Sequence, residues 1–394
     1  MNDSLKLGII ALVKGAITGE KQVLPPNFDI IDTVEIARKH QILPIIYYGA
    51  LNCGVDGDSP TMQEMFNAVC KSMLISQRQM AAIKRISDAF DENGIEYMLL
   101  KGTLLKSLYP KSEMRSMGDA DILIKLEQYE KIKPILSEMG YTEKTVSDHE
   151  LIWTRPELYL ELHKRLIPSY NKDYYAYYGD GWQLGKLSDE NKCRYVMTAE
   201  DQMIYLFTHF AKHYRDGGIG IKHLVDLYIY RKANTHLDEK YIKNELTKLC
   251  LYDFYNNILK TIDVWFFDGK PSAHTELITE IVINSGAYGT AKNRNIAQAV
   301  RYLDSDKSYK AAKLKRYFNM TFPSLKVMKL KNTYLEKLPF LLPVAWVIRL
   351  FKIVFTKQEQ VKVFHDNIQR VTAEEFNDYE KALHFVGLDF NFKE

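Results

Sequence analysis

The sequence predicts an α+β protein, with a small mixed β-sheet unit set between N-terminal helices and a larger helical region that follows. Three observations predict it. Apolar runs of strand length cluster between residues 95 and 163, helical periodicity fills both flanks, and Gly118-Asp119-Ala120-Asp121-Ile122-Leu123-Ile124 sets two carboxylates two residues apart on one such run. Alternation along a strand turns both acids to one face. Two acids sharing a face are costly unless something positive lies between them, and hard divalent cations prefer oxygen donors. Phosphoryl or nucleotidyl transfer is therefore the first chemistry to test.

The elements follow in order. Residues 1 to about 70 read as helical, with Asp32-Thr33 as a cap and Ala37, Ile42, Ile45 and Ile46 on apolar faces. Residues 73–93 form an amphipathic helix that stops at Asn93-Gly94. Ile95 to Leu100 then reads as a buried strand ending in Lys101-Gly102-Thr103, and a helical segment runs on to Leu108 and stops at Tyr109-Pro110. A glycine in such a turn lets backbone approach a phosphate, and the next helix start offers unpaired amides to an anion. Leu126 to Met139 is a helix behind the Asp-x-Asp strand. Leu158 to His163 alternates as a further strand and carries a third acid, Glu161, on one face with His163. Beyond about 170, helical spacing covers 199–215, 220–233, 238–267 and 274–283, and Gly217-Gly218-Ile219-Gly220 reads as a turn between two of these helices. His209 and His213, four apart, share a helix face, where packing or hydrogen bonding against the sheet unit is preferred to metal ligation. The division expected is 1–72 N-terminal helices, 73–170 sheet core, 171–300 helical domain and 301–394 basic and apolar C-terminal region.

These residues resemble the polymerase-β-like nucleotidyltransferase superfamily, and within it a widespread bacterial family of uncharacterised nucleotidyltransferases. The resemblance rests on Leu100-Lys101-Gly102, Leu108-Tyr109-Pro110, Arg115-Ser116-Met117-Gly118-Asp119-Ala120-Asp121, and Leu160-Glu161-Leu162-His163. It extends to Ala37-Arg38-Lys39-His40, His209-Phe210-Ala211-Lys212-His213 and Asp226-Leu227. It implies a polymerase-β-like core and an enzyme moving a nucleoside monophosphate from a triphosphate, ATP first among candidates, to an unidentified small-molecule or carbohydrate acceptor with release of pyrophosphate. Asp119, Asp121 and Glu161 would be the catalytic and metal-holding acids for two Mg2+ ions, with Mn2+ as a substitute. Lys101, Gly102, Thr103, Arg115 and Gly118 would bind the nucleotide, and His163 and Lys164 are candidates for substrate contact. Arg115 has a second reading as a structural bridge to Glu113 or Asp119. Thr103 stands where serine is commoner and Glu161 where aspartate is commoner. The same site would also serve AMP transfer to a protein side chain, or an inactive nucleotide-binding module that keeps the acidic patch.

Composition bounds the rest. The chain has 394 residues, 46% hydrophobic and 26% charged, which is the balance of a folded globular protein, and its net charge of +3 gives no global argument for nucleic-acid binding. Cys53, Cys70, Cys193 and Cys250 lack metal-type spacing and suit a reducing, cytoplasmic setting. Leu5 to Ile17 carries Lys6 and Lys14 in a helical pattern without a cleavage-site run, so it reads as a helix rather than a signal peptide. Between residues 307 and 357 there are twelve lysines or arginines and one acid, Glu336, around an apolar run from Leu338 to Phe355. That run is too short to span a bilayer comfortably, leaving three readings: a helix packed on the core, a peripheral contact with an acidic membrane, or a contact with an anionic acceptor.

Overall fold

Strand alternation decides how the central sheet is covered, and the computed structural model shows the result for residues 2–147, 149–189, 191–287, 289–300, 318–319, 321–329, 332, 334–356 and 372–389. The sheet is built from β1 (Tyr97–Leu99), β2 (Ala120–Ile124), β3 (Thr142–Val146), β4 (Glu150–Arg155), β5 (Leu158–His163), β6 (Lys186–Leu187) and β7 (Arg194–Val196). Its seven strands run in the order β3-β4-β5-β2-β1-β7-β6. It is mixed: β2 pairs with β5 in parallel and with β1 antiparallel, and β1 pairs with β7 in parallel. The sheet therefore takes two strands from beyond residue 170. Both are very short and carry Lys186 and Arg194, so they show no apolar alternation in the sequence.

The central strands β1 and β2 bury both faces. Tyr97, Leu99, Ile122, Ile124, Leu160 and Leu162 enter one core, with Ile83, Ile86 and Phe90 of α4 (Pro60–Glu92) and Ile132 and Leu136 of α6 (Tyr129–Glu138). Met98, Leu100 and Leu123 enter the second core on the opposite face, with Leu105 of α5 (Gly102–Leu105) and Tyr174 and Tyr178 of α7 (Lys172–Tyr178). That second core also takes the N-terminal helices α1 (Asp3–Thr18), α2 (Ile31–His40) and α3 (Leu43–Asn52), together with α8 (Ala199–Arg215) and α9 (Ile221–Ala233). It continues through α10 (Glu239–Lys248), α11 (Tyr252–Phe266) and α12 (Ala273–Ser285). The N-terminal helices and the helical domain thus share one apolar interior. Gly49 allows α3 to lie close to α1, since a Cβ there would fall 2.0 Å from the Leu12 carbonyl oxygen.

Two helical readings differ in extent. The helix read from residue 73 begins at Pro60, where proline sits at the first helical position and its missing N–H is lost at no cost. The segment 238–267 splits into α10 and α11 because Cys250 turns to φ +56° between them. The glycine run 217–220 is a turn, as expected, with Gly217 at φ +140° and Gly218 at φ +103°. The helix Ala373–Phe385 returns to the main core through Leu383, and Val386 and Leu388 just beyond it join the same core. Helices Leu325–Lys329, Tyr334–Lys337 and Leu342–Thr356 gather instead around a small cluster of Met328, Leu335 and Ala345. Among the described residues, no helix is long and apolar enough to cross a membrane.

Candidate active site

Because Ala120 and Ile122 face the first core, Asp121 faces the helical domain, and the parallel pairing of β2 with β5 sets it opposite Glu161. His163 follows two residues later on the same face. The Asp121 Oδ1 accepts from Lys101 Nζ at 2.9 Å and lies 2.7 Å from His163 Nε2, and that nitrogen is 3.7 Å from the Glu161 carboxylate. Both bonds fall on Oδ1, so Oδ2 takes none among the described residues. One donor atom each from Asp121, Glu161 and His163 lies within 4.8 Å of the others, so this group could hold a metal ion.

The electrostatics are those of crowded acids. Burial, followed by the charges of Asp121 and Glu161, pushes the Asp119 carboxyl up to about 6. Burial also pushes Asp121 up, but the Lys101 ammonium and the His163 bond outweigh it and hold that carboxyl well below the usual range. For His163, burial and Lys101 favour the neutral ring, yet its bonds to Asp121 and Glu161 leave it above the ordinary imidazole value. A dication bound to oxygen donors would relieve this repulsion, so the donor set fits one.

The turn after β1 is strained where it meets the site. Lys101 sits at φ +41°, a region that a residue with a side chain enters at a cost of about 1–3 kcal/mol. Its carbonyl takes the Leu104 and Leu105 N–H groups and its ammonium is fixed on Asp121, which together hold the conformation. Gly102 and Gly118 line the cleft. A Cβ at 102 would fall 2.8 Å from Arg115 Nη1 and would push that guanidinium aside. The Thr103 N–H is bonded to the Leu100 carbonyl, and the buried Thr103 hydroxyl has no hydrogen-bond partner among the described residues.

The facing wall comes from the helical domain. Helix spacing brings His209 and His213 of α8 to the cleft, with Lys212, while Phe207, Phe210 and Tyr214 pack on Phe254. The two imidazoles meet Nε2 to Nε2 at 3.0 Å, which needs one donor and one acceptor. Burial first, then nearby lysines, lowers both rings well below the ordinary imidazole value, so the pair is neutral. Lys222 and His223 open α9. Burial and Arg115 bring Lys222 down to about 8, and burial and Lys222 bring His223 to about 3. His40 sets this helix start: its Nδ1 accepts the Ile221 N–H at 3.2 Å, so Nε2 carries the proton and donates to the Ile283 carbonyl at 2.8 Å. The cavity between the walls is about 240 Å³.

Arg115 joins the two walls. Its Nε and Nη2 donate to the two oxygens of Asp226 at 3.1 and 2.9 Å, Nη1 donates to the Ser116 carbonyl, and the Tyr109 hydroxyl donates to Asp226 at 2.6 Å. The partner is thus neither Glu113 nor Asp119. Lys164 donates to the Ser147 carbonyl and lines a separate hollow with Lys125 and Trp182, away from the acids. Sequence reasoning passed over His149 and Glu150, which line the cleft and pair at 3.0 Å, and also Lys222 and His223. The alternation of Leu151 and Trp153 into the core was the available signal for Glu150.

The family described as uncharacterised nucleotidyltransferase matches residues 26–267. The solution structure of an antibiotic-resistance factor, ANT(2'')-Ia, is similar at 13% identity and a TM-score of 0.34, covering 47% of this chain and 96% of that one, a likeness too low to bear on the fold. A comparison with curated proteins finds no match. The family match spans more than half of the chain and encloses both acid-bearing strands and both walls of the cleft, so this chain belongs to the uncharacterised nucleotidyltransferase family.

Proposed function

We propose that the cleft transfers a nucleoside monophosphate from a nucleoside triphosphate, ATP first among candidates, to a hydroxyl of a small-molecule or carbohydrate acceptor. The acceptor oxygen attacks the α-phosphorus, the bond to the bridging oxygen breaks, and pyrophosphate leaves in line. The observation that carries this reading is the crowding of Asp121 and Glu161 on one sheet face with Asp119 just before the strand, all three lining the cleft opposite a wall bearing Lys212 and Lys222. Two Mg2+ ions held by these acids, with Mn2+ as a substitute, would neutralise the triphosphate and acidify the acceptor hydroxyl. Glu161 takes the hydroxyl proton. Lys101, held on Asp121, keeps its positive charge beside the phosphates, while the backbone at Gly102 and Gly118 gives them room. Lys222 and Lys212 hold the departing pyrophosphate from the far wall. His163 orients Asp121, and Arg115 fixes the cleft width through Asp226.

Calorimetry with each of the four triphosphates, with and without Mg2+, tests the reading. The expected result is metal-dependent binding, tightest for ATP, lost in Asp119→Asn/Asp121→Asn, because the acids that would hold the metal have then lost their charge. A folded protein that binds none of the four overturns it.

A further inference from the structure

The helix Leu342–Thr356 is turned inside out relative to a core helix. Ala345 is buried, and Trp346 is tucked inward, with its Nε1 donating to the Pro323 carbonyl at 2.8 Å and its ring edge-on to Phe322 at 5.3 Å. With those two positions fixed inward, helical spacing sends Val344, Val347, Ile348 and Phe351 outward as one stripe, continued by Phe340 in the preceding turn. These five are between 47% and 72% exposed. Solvent-facing Lys337 and Lys352 flank the stripe. The surrounding span, 307–357, carries twelve basic residues against Glu336, although the whole chain has a net charge of only +3.

We propose that this face binds the surface of an anionic lipid bilayer, with the apolar stripe in the acyl boundary and the lysines at the phosphates. A 15-residue helix is about 22 Å long, short of the ~30 Å hydrocarbon core, so it lies in the interface plane and does not cross it. Charge selects this occupant over a second copy, because two copies meeting face to face would bring two strongly basic spans together. Chemistry selects it over nucleic acid: the stripe is mainly aliphatic, whereas single-stranded binding surfaces stack bases on aromatic rings. The inference is independent of the reaction proposed for the cleft.

Flotation of the full-length protein with vesicles of phosphatidylcholine alone, or mixed with phosphatidylglycerol, is the test. Binding to the anionic vesicles at least about thirtyfold tighter than to the neutral ones is expected, falling about thirtyfold in Lys337→Gln/Lys352→Gln, as about 1 kcal/mol from each juxtamembrane cation requires. Val347→Glu/Phe351→Glu removes only exposed side chains, keeps the circular dichroism spectrum, and abolishes flotation. Absence of binding to anionic vesicles, or unchanged binding by the apolar variant, overturns the proposal. So does a dimer in light scattering that Val347→Glu/Phe351→Glu converts to a monomer, since the face would then belong to a second copy.

Discussion

The two walls of the cleft are made by different rules. The sheet wall is acidic and local: Asp121 and Glu161 share a face through one parallel register, and Asp119, just before β2, feels the charge of both. The helical wall bears Lys212, Lys222 and three imidazoles, and depends on packing among α2, α8, α9 and α12, with His40 holding the start of α9. One wall suits cations and the other suits anions, so a ligand carrying both a phosphate chain and a metal satisfies the two together. Arg115 and Asp226 are where the walls are tied. Because both partners are buried, removing one strands the other's charge, and Asp226→Ala is expected to cost about 3–5 kcal/mol of stability in chemical denaturation. Arg115→Met/Asp226→Leu should recover most of that loss while activity stays low. Full activity in the double variant would show that the tie does not set the geometry between the walls.

The acidic wall can be sharpened separately through pH and metal. Asp119 has a folded value near 6, above its ordinary 3.8, so ionising it costs the fold, and its contribution to stability is lost as pH rises from about 4 through 6. A bound dication reverses the sign by favouring the ionised form. At pH 8, Mg2+ at a hundred times its dissociation constant should stabilise the protein by about 2.7 kcal/mol, seen as a rise in Tm. At pH 5, one unit below the Asp119 value, metal affinity should fall about tenfold and the rise in Tm should shrink. Asp119→Asn should remove the pH dependence. A rise in Tm that is equal at both pH values, or retained in Asp119→Asn, would place the metal on Asp121, Glu161 and His163 without Asp119.

The same contrast explains what could be read in advance. Asp121, Glu161 and His163 lie on strands whose apolar residues alternate, so their shared face follows from spacing alone, and Asp119 directly precedes the first of these strands. His209 and His213 were legible as a helix-face pair for the same reason, period four in place of two. The Arg115 to Asp226 pair, 111 residues apart, has no local signature, and no spacing rule distinguishes a guanidinium that binds phosphate from one that ties two walls. Lys222 and His223 acquire their place from a helix start that His40 positions across the fold. The strands β6 and β7 are added to the sheet by pairing, without a pattern of their own. Local periodicity thus reached the sheet wall and the existence of the helices, while the meeting of the walls required the tertiary structure.

Lys222 offers the finest test of the helical wall, because its two pH effects run in opposite directions. Its folded value of about 8 lies below the ordinary 10.5, so the unfolded chain binds the proton more tightly and stability should rise with pH between 8 and 10.5. Triphosphate binding favours the charged form, so donor affinity should fall across the same window. Lys222→Met should remove both trends, make the protein no less stable at pH 7, and raise the KM for the donor about tenfold, the scale of one charge-assisted hydrogen bond. Asp121 and Glu161 are untouched by that change, so kcat should move far less than KM. A variant in which kcat falls and KM is unchanged would mean that the helical wall acts on the transition state as directly as the sheet does, and the division of labour between acidic and basic walls would have to be abandoned.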